Sequence, residues 1–140
     1  MSARVARSEE LETCLAIRLE VFVDEQQVPL EEEVDGLDES CTHFLVEQGG
    51  EALGTARLRI TAAGEARAER VAVVRRARGL GLGVALMKAL ERTARELGHS
   101  QLVLHGQVPV IPFYERLGFA AEGPVFMDCD IPHRTMRKAI

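Results

Sequence analysis

Three arginines stand ahead of three glycines at alternate positions in the stretch Arg75-Arg76-Ala77-Arg78-Gly79-Leu80-Gly81-Leu82-Gly83-Val84. Glycine lets the main chain come close to a ligand and take conformations that side chains forbid. A helix that starts just after such a turn offers unpaired N–H groups and a partial positive charge. Together these form an anion seat suited to a phosphate or a diphosphate. Arg75, Arg76 and Arg78 add full charges beside it. Spacing separates the possible phosphate motifs. A dinucleotide fingerprint, G-x-G-x-x-G, fails in both registers, because its third glycine falls on Val84 or on Leu86. A Walker loop is absent from the sequence. What fits is R-x-x-G-x-G, formed by Arg78, Gly81 and Gly83.

Such a turn is useful only between a strand and a helix, and the flanking residues read that way. Arg67 to Val74 reads as a strand whose end, Val71-Ala72-Val73-Val74, is apolar on both faces, as in a central strand. Val84 to Leu97 is helical, with Leu86, Leu90, Ala94 and Leu97 on one face and Gly98 as its C-cap. Upstream, Arg4 to Ala6 reads as a short strand. Ser8 serves as the N-cap of a helix that runs to about Asp24, with Leu11, Leu15, Leu19 and Phe22 at helical spacing. An acidic connector, Glu31 to Ser40, has room for one helical turn. Strands at Thr42–Glu47 and Leu53–Ile60 form a hairpin around Gly49-Gly50. Downstream come a strand at Gln101–His105, a brief helix ending at Leu117 before Gly118, and a strand pair at Phe119–Phe126 and His133–Ala139. The order β-α-β-β-β-α-β-α-β-β predicts an α/β fold, a mixed sheet with helices on both faces.

The chain has 140 residues, 46% hydrophobic and 28% charged, which excludes a disordered or low-complexity protein and fits one domain over residues 1–140. No apolar run reaches the roughly 18–20 residues of a membrane span, and the N-terminal residues lack a signal peptide's apolar stretch. Cys14, Cys41 and Cys129 have no metal-like spacing and read as reduced thiols of a cytoplasmic protein, with no metal expected. Charge is unevenly spread. Residues 1–50 carry 3 Arg against 13 Asp and Glu, a net −10, whereas residues 65–95 carry 8 basic residues against 3 Glu, a net +5. An acidic front half argues against nucleic-acid binding. It suits instead a cationic ligand, with Glu25 and Glu33 as candidate lining groups, although each alone reads first as a surface carboxylate.

The phosphate turn with its strand and helix resembles the coenzyme A loop of the GCN5-related N-acetyltransferase (GNAT) superfamily. Glu69-Arg70-Val71-Ala72-Val73-Val74 resembles that superfamily's fourth strand. Phe113-Tyr114-Glu115-Arg116-Leu117-Gly118-Phe119 resembles its F-Y-x-x-x-G-F segment. The match is nearest to the YjcF/ElaA-like group, through Arg18 to Pro29, Glu31 to Asp35, His43, Leu104-His105-Gly106-Gln107 and Ile131-Pro132-His133. Two residues depart from the group's pattern: Gly106 replaces a usual alanine, and Asp130 replaces a glycine before Ile131. The resemblance implies one GNAT-like domain. Its central sheet would be mixed and mostly antiparallel, with the fourth and fifth strands splayed. It also implies acetyl-CoA as co-substrate, gripped by the main chain of Val71, Ala72 and Val73 and by Arg78, Gly79, Leu80, Gly81, Leu82 and Gly83.

The implied reaction is direct acetyl transfer to a primary amine of a small molecule or peptide. A lysine-like amine with an ordinary pKa of about 10.4 is neutral in only about one molecule in 10³ at pH 7. A base, a water relay or desolvation must therefore help. An oxyanion develops on the thioester carbonyl, and the Val71 amide is the expected donor. Tyr114, the chain's only tyrosine, keeps its proton at neutral pH and is the expected general acid toward the leaving sulfur. For the base, His105 has a suitable intrinsic pKa but reads more readily as a hydrogen-bonded strand residue. Gln107 can orient an amine or a water; His133 reads first as structural, with a place on the acceptor side as the alternative. His43 reads as structural. A non-catalytic acyl-CoA binder is the alternative that retains the loop without needing Tyr114. Paired C-terminal strands leave room for a homodimer.

Overall fold

The computed structural model describes residues 2–140. Seven strands form one sheet: β1 (Ala3–Val5), β2 (Thr42–Gln48), β3 (Glu51–Ile60), β4 (Ala66–Val73), β5 (Gln101–Gln107), β6 (Ala120–Asp128) and β7 (Ile131–Ala139). Their spatial order is β1-β2-β3-β4-β5-β7-β6. Every neighbouring pair is antiparallel except β4–β5, which is parallel. The helices are α1 (Leu11–Arg18), α2 (Leu30–Glu33), α3 (Leu82–Glu96) and α4 (Ile111–Arg116).

Two adjacent residues of β3 show how the helices divide. A Cβ on Gly54 would lie 3.1 Å from Leu86 Cδ1 of α3, while the next residue, Thr55, donates to the Phe44 carbonyl at 2.8 Å and lies on the side of Cys14 of α1. Successive strand residues point to opposite faces, so α1 and α3 cover opposite sides of the sheet, as expected. Gly54 is glycine because α3 sits so close. Its Cβ would also stand 2.8 Å from Val46 Cγ1 and 3.2 Å from the Ala72 carbonyl.

The first helix departs from its predicted form. It is not capped by Ser8. The chain enters through a 3₁₀ turn at Ser8–Glu10, where the Arg7 amide donates to the Glu10 carboxylate at 2.8 Å. Beyond Arg18 the α-helix gives way to a π-helical turn, Leu19–Glu25. The buried stripe is Cys14, Ile17, Arg18 and Val21, with the predicted leucines on its flanks. Periodicity misses this because the buried position is an arginine. On α3, Leu86, Leu90 and Ala94 are buried as expected, but Leu97 lies past the helix end and is exposed. Gly98 closes α3 at φ 90°, with the His99 amide on the Ala94 carbonyl.

The acidic connector holds two helical turns, α2 and a 3₁₀ turn at Asp38–Ser40. It is pinned by a network of four arginines and four carboxylates. Arg18 pairs with Glu33 at 2.7 Å and with Asp38 at 2.7 Å. Arg57 pairs with Asp35 at 2.6 Å, Asp38 at 2.9 Å and Glu69 at 2.9 Å. Arg59 holds Glu69 and Arg70 holds Glu33, each at 2.9 Å. Arg18 and Arg57 are each only 1% exposed. Burial pushes the Asp38 and Glu69 carboxyls up, and the surrounding guanidiniums outweigh it, leaving both below the ordinary carboxylate range.

Candidate active site

β4 and β5 pair at only two positions, Arg67 with Val103 and Ala68 with Leu104. Beyond them the strands part, and a cleft of about 910 Å³ opens between Glu69–Val73 and His105–Gln107. A bulge helps to shape it. Thr55 faces Ala72 while Arg57 faces Glu69, so Arg70 and Val71 together oppose Ala56. Arg70 takes φ 55°, a left-handed conformation uncommon outside glycine. Its side chain turns toward the connector, reaching Glu33 and Asp35. Val71, Ala72 and Val73 line the cleft along the edge of β4 that β5 has left.

At one end of the cleft lies the glycine turn. Gly79 and Gly81 have φ of 83° and 82°, and nothing stands within 4 Å of where their Cβ atoms would be. The turn is thus glycine for its backbone and open toward a ligand. Gly81 precedes the first residue of α3, so the helix N-terminus faces this opening. Gly83 is different: its Cβ would stand 3.2 Å from Phe113 Cζ, so close packing on α4 selects it. Leu80 points to solvent and does not line the cleft. Arg78 donates through Nε to the Val73 carbonyl at 3.0 Å, tying the turn to the end of β4.

Glu25 is not an acceptor-side group. It receives both terminal nitrogens of Arg78 at 2.7 Å and one of Arg75 at 3.3 Å, at the glycine-turn end. Those arginines hold its carboxyl below the usual range, Arg78 above all. Glu33 does line the cleft but is buried between Arg18 and Arg70. Both carboxylates are therefore neutralised by arginine, and the expectation of an open acidic basin for a cation does not hold for these two residues.

Tyr114 sits on α4 and lines the cleft from the face of β5 that carries Gly106. A Cβ on Gly106 would meet Tyr114 Cδ2 at 3.4 Å and Met136 Sδ at 3.1 Å, so glycine here gives the tyrosine ring room. The ring packs edge-on to Phe113 and Phe119. Burial alone pushes its phenol up to about 12. Its hydroxyl has no protein hydrogen-bond partner among the described residues.

His105 and Gln107 alternate with Gly106 and so face the other side of β5. Gln107 opposes His133, and His133 opposes Phe126, across β5, β7 and β6. This face lines the same cleft. Gln107 donates to Gln26 Oε1 at 2.9 Å, bridging β5 to the segment after α1. His105 has its proton affinity lowered by burial and then by Arg67. It meets Phe126 edge-on at 5.0 Å. His43 bonds the Asp38 carbonyl at 2.8 Å, a structural position as expected.

The site thus brings together the glycine turn, the free edge of β4, Tyr114 on one face and two histidines on the other. The acetyltransferase (GNAT) family sequence model matches residues 8–119. The chain belongs to that family. This GNAT chain is 39% identical over 140 residues to the uncharacterized N-acetyltransferase YjcF of Bacillus subtilis, covering 99% of both. Among solved structures, an acyl-CoA N-acyltransferase from Pseudomonas aeruginosa is similar at 34% identity, with a TM-score of 0.84 and coverage of 99% and 98%. Escherichia coli ElaA is similar at 27% identity, with a TM-score of 0.84 and coverage of 99% of both chains. The R-x-x-G-x-G turn of this GNAT chain stands where its sequence placed it, and the parallel pair is splayed as the resemblance implied. The bulge at Arg70, the Gln26–Gln107 bridge and the arginine network escaped sequence reading. The network's one signal was Arg18, a charge amid apolar residues at helical spacing.

Among the described residues, no helix is long and apolar enough to cross a membrane.

Proposed function

We propose that the chain transfers an acetyl group from acetyl-CoA directly to a primary amine of a small molecule or peptide. The observation that carries this reading is the abrupt end of β4–β5 pairing after two residues, with the open glycine turn at the mouth of the gap. An extended, amide-bearing arm can add to the free edge of β4 as a strand would. The amides of Val71 and Val73 serve that arm. The α3 N-terminus, Gly79, Gly81 and Arg78 serve a diphosphate, with the main chain of Leu80, Leu82 and Gly83 completing the turn. Open space beside Gly79 and Gly81 fits such a group.

Acetyl-CoA supplies an activated acyl carbon and a thiol leaving group. The protein's part is to orient and to move protons. The Val71 amide, turned by the bulge, polarises the thioester carbonyl. Tyr114, kept protonated by burial, hands its proton to the departing sulfur. The acceptor enters from the opposite face of β5, beside His105, Gln107 and His133.

The test is a panel of amines (a polyamine, an aminosugar and Nα-acetyl-lysine) incubated with acetyl-CoA, with thiol release and product mass followed. Tyr114→Phe should lower turnover by about 10²–10³-fold while coenzyme A affinity stays within threefold. Thermal stabilisation by coenzyme A with no product from any amine would favour the non-catalytic binder.

A further inference from the structure

We propose that His133, rather than His105, is the general base that takes a proton from the attacking amine, through its Nε2. This rests on the acetyltransferase reading above and assigns a proton path to it. Four observations support the choice. The His133 Nδ1 lies 2.6 Å from the Ile131 carbonyl. A carbonyl oxygen only accepts, so Nδ1 carries the hydrogen, and in the neutral ring Nε2 holds the lone pair. The residue is 8% exposed and the ring stacks on Phe126 at 5.8 Å and 20°, which fixes its plane. It lines the cleft, and Nε2 has no protein partner among the described residues. His105 also lines the cleft and meets Phe126, but no protein group selects its tautomer, and it is the more exposed of the two rings.

The position is chemically apt. His133 stands beside Gln107, on the face of β5 opposite Tyr114. A base and an acid on opposite faces serve opposite sides of the carbonyl under attack. One N–H proton of the neutral amine goes to Nε2 as the N–C bond forms. The C–S bond breaks and its sulfur takes the Tyr114 proton. The products are an amide and a thiol, and proton exchange with water then restores neutral imidazole and phenol. Charged and titratable groups lining the same cleft include His105 of β5, Arg67, Glu69 and Arg70 of β4, Glu32 and Glu33 of α2, Asp35 of the connector, and Asp128 and Cys129 at the β6–β7 turn. His105 is the other imidazole lining the cleft, so its variant is the control.

Two measurements test the assignment. The first needs no acceptor. Imidazole ¹⁵N correlation spectra of the wild-type chain should show the His133 proton on Nδ1, and a neutral Nε2–H tautomer would overturn the proposal. The second uses the amine panel. His133→Asn keeps a donor for the Ile131 carbonyl but has no basic nitrogen. Its kcat/KM should fall about 10²–10⁴-fold and lose the acid limb of the pH profile, with coenzyme A affinity unchanged. His133→Ala should regain activity with added imidazole, and His105→Ala should lose less than tenfold. An active wild type with an equally active His133→Asn, or the full loss falling on His105→Ala, overturns this assignment alone. A wild type that binds coenzyme A yet acetylates nothing in the panel overturns the enzyme reading, and this one with it.

Discussion

Replacing Arg57 by methionine tests whether the arginine network holds the connector in place. Arg57 is 1% exposed and contacts Asp35, Asp38 and Glu69 within 2.9 Å. Removing one partner of a buried ion pair costs about 3–5 kcal/mol, because the charges left behind remain buried. Here each orphaned carboxylate keeps a second guanidinium: Arg70 for Asp35, Arg18 for Asp38 and Arg59 for Glu69. The cost should therefore sit at the lower end, about 3 kcal/mol. With a urea dependence of about 1–3 kcal/mol per molar, the unfolding midpoint should drop by about 1–3 M. Adding Asp35→Asn removes a stranded charge and should restore at least about 1 kcal/mol. Coenzyme A binding by the folded fraction should change less than threefold, since the glycine turn lies at the other end of the cleft. A midpoint within about 0.5 M of wild type, or a double variant no better than the single one, would refute the reasoning.

Other outcomes follow from the same geometry. Glu25→Gln frees Arg78 and Arg75 for a diphosphate. An exposed pair is worth about 0.2–1 kcal/mol, so calorimetry should show coenzyme A binding tightened by up to about fivefold at low salt. Gly54→Ala forces a Cβ to within 2.8 Å of Val46 and should cost about 1–3 kcal/mol by chemical denaturation. The Tyr114 phenol lies near 12 when folded, against about 10 when unfolded. Between those values the unfolded chain loses a proton that the folded one keeps, so stability falls as pH rises, by about 2–3 kcal/mol in all. Tyr114→Phe should lack that loss. Urea titrations from pH 9 to 11 should see the wild-type midpoint fall relative to that of Tyr114→Phe, and a constant difference would contradict it.

The strand, turn and helix around Arg78-Gly79-Leu80-Gly81 were legible because each local preference agreed with the final fold. Glycines stood where φ is positive, and a purely apolar strand end met an amphipathic helix. The hairpins were legible for the same reason. What could not be read depends on distant partners. Arg18, Arg57 and Arg70 look like surface residues until the connector's carboxylates fold onto them. Glu25 looked like a free acid for the same reason, although its partner Arg78 lies 53 residues away in sequence. The two faces of β5 were implicit in the alternation of His105, Gly106 and Gln107. Only the register with β7 shows that His133 joins the first and third of these.

The single inserted residue of β4 has a mechanical consequence. Because Arg70 and Val71 share the space of one residue, turning the first outward to clasp the connector is what rotates the second inward. Shortening the strand by Arg70 would let Val71 pair regularly with Ala56, while Ala72 and Val73 kept their partners Thr55 and Gly54. The connector would lose its clasp and the strand its local twist, both close to the point where β5 departs. One extra residue thus couples the acidic connector to the lip of the groove.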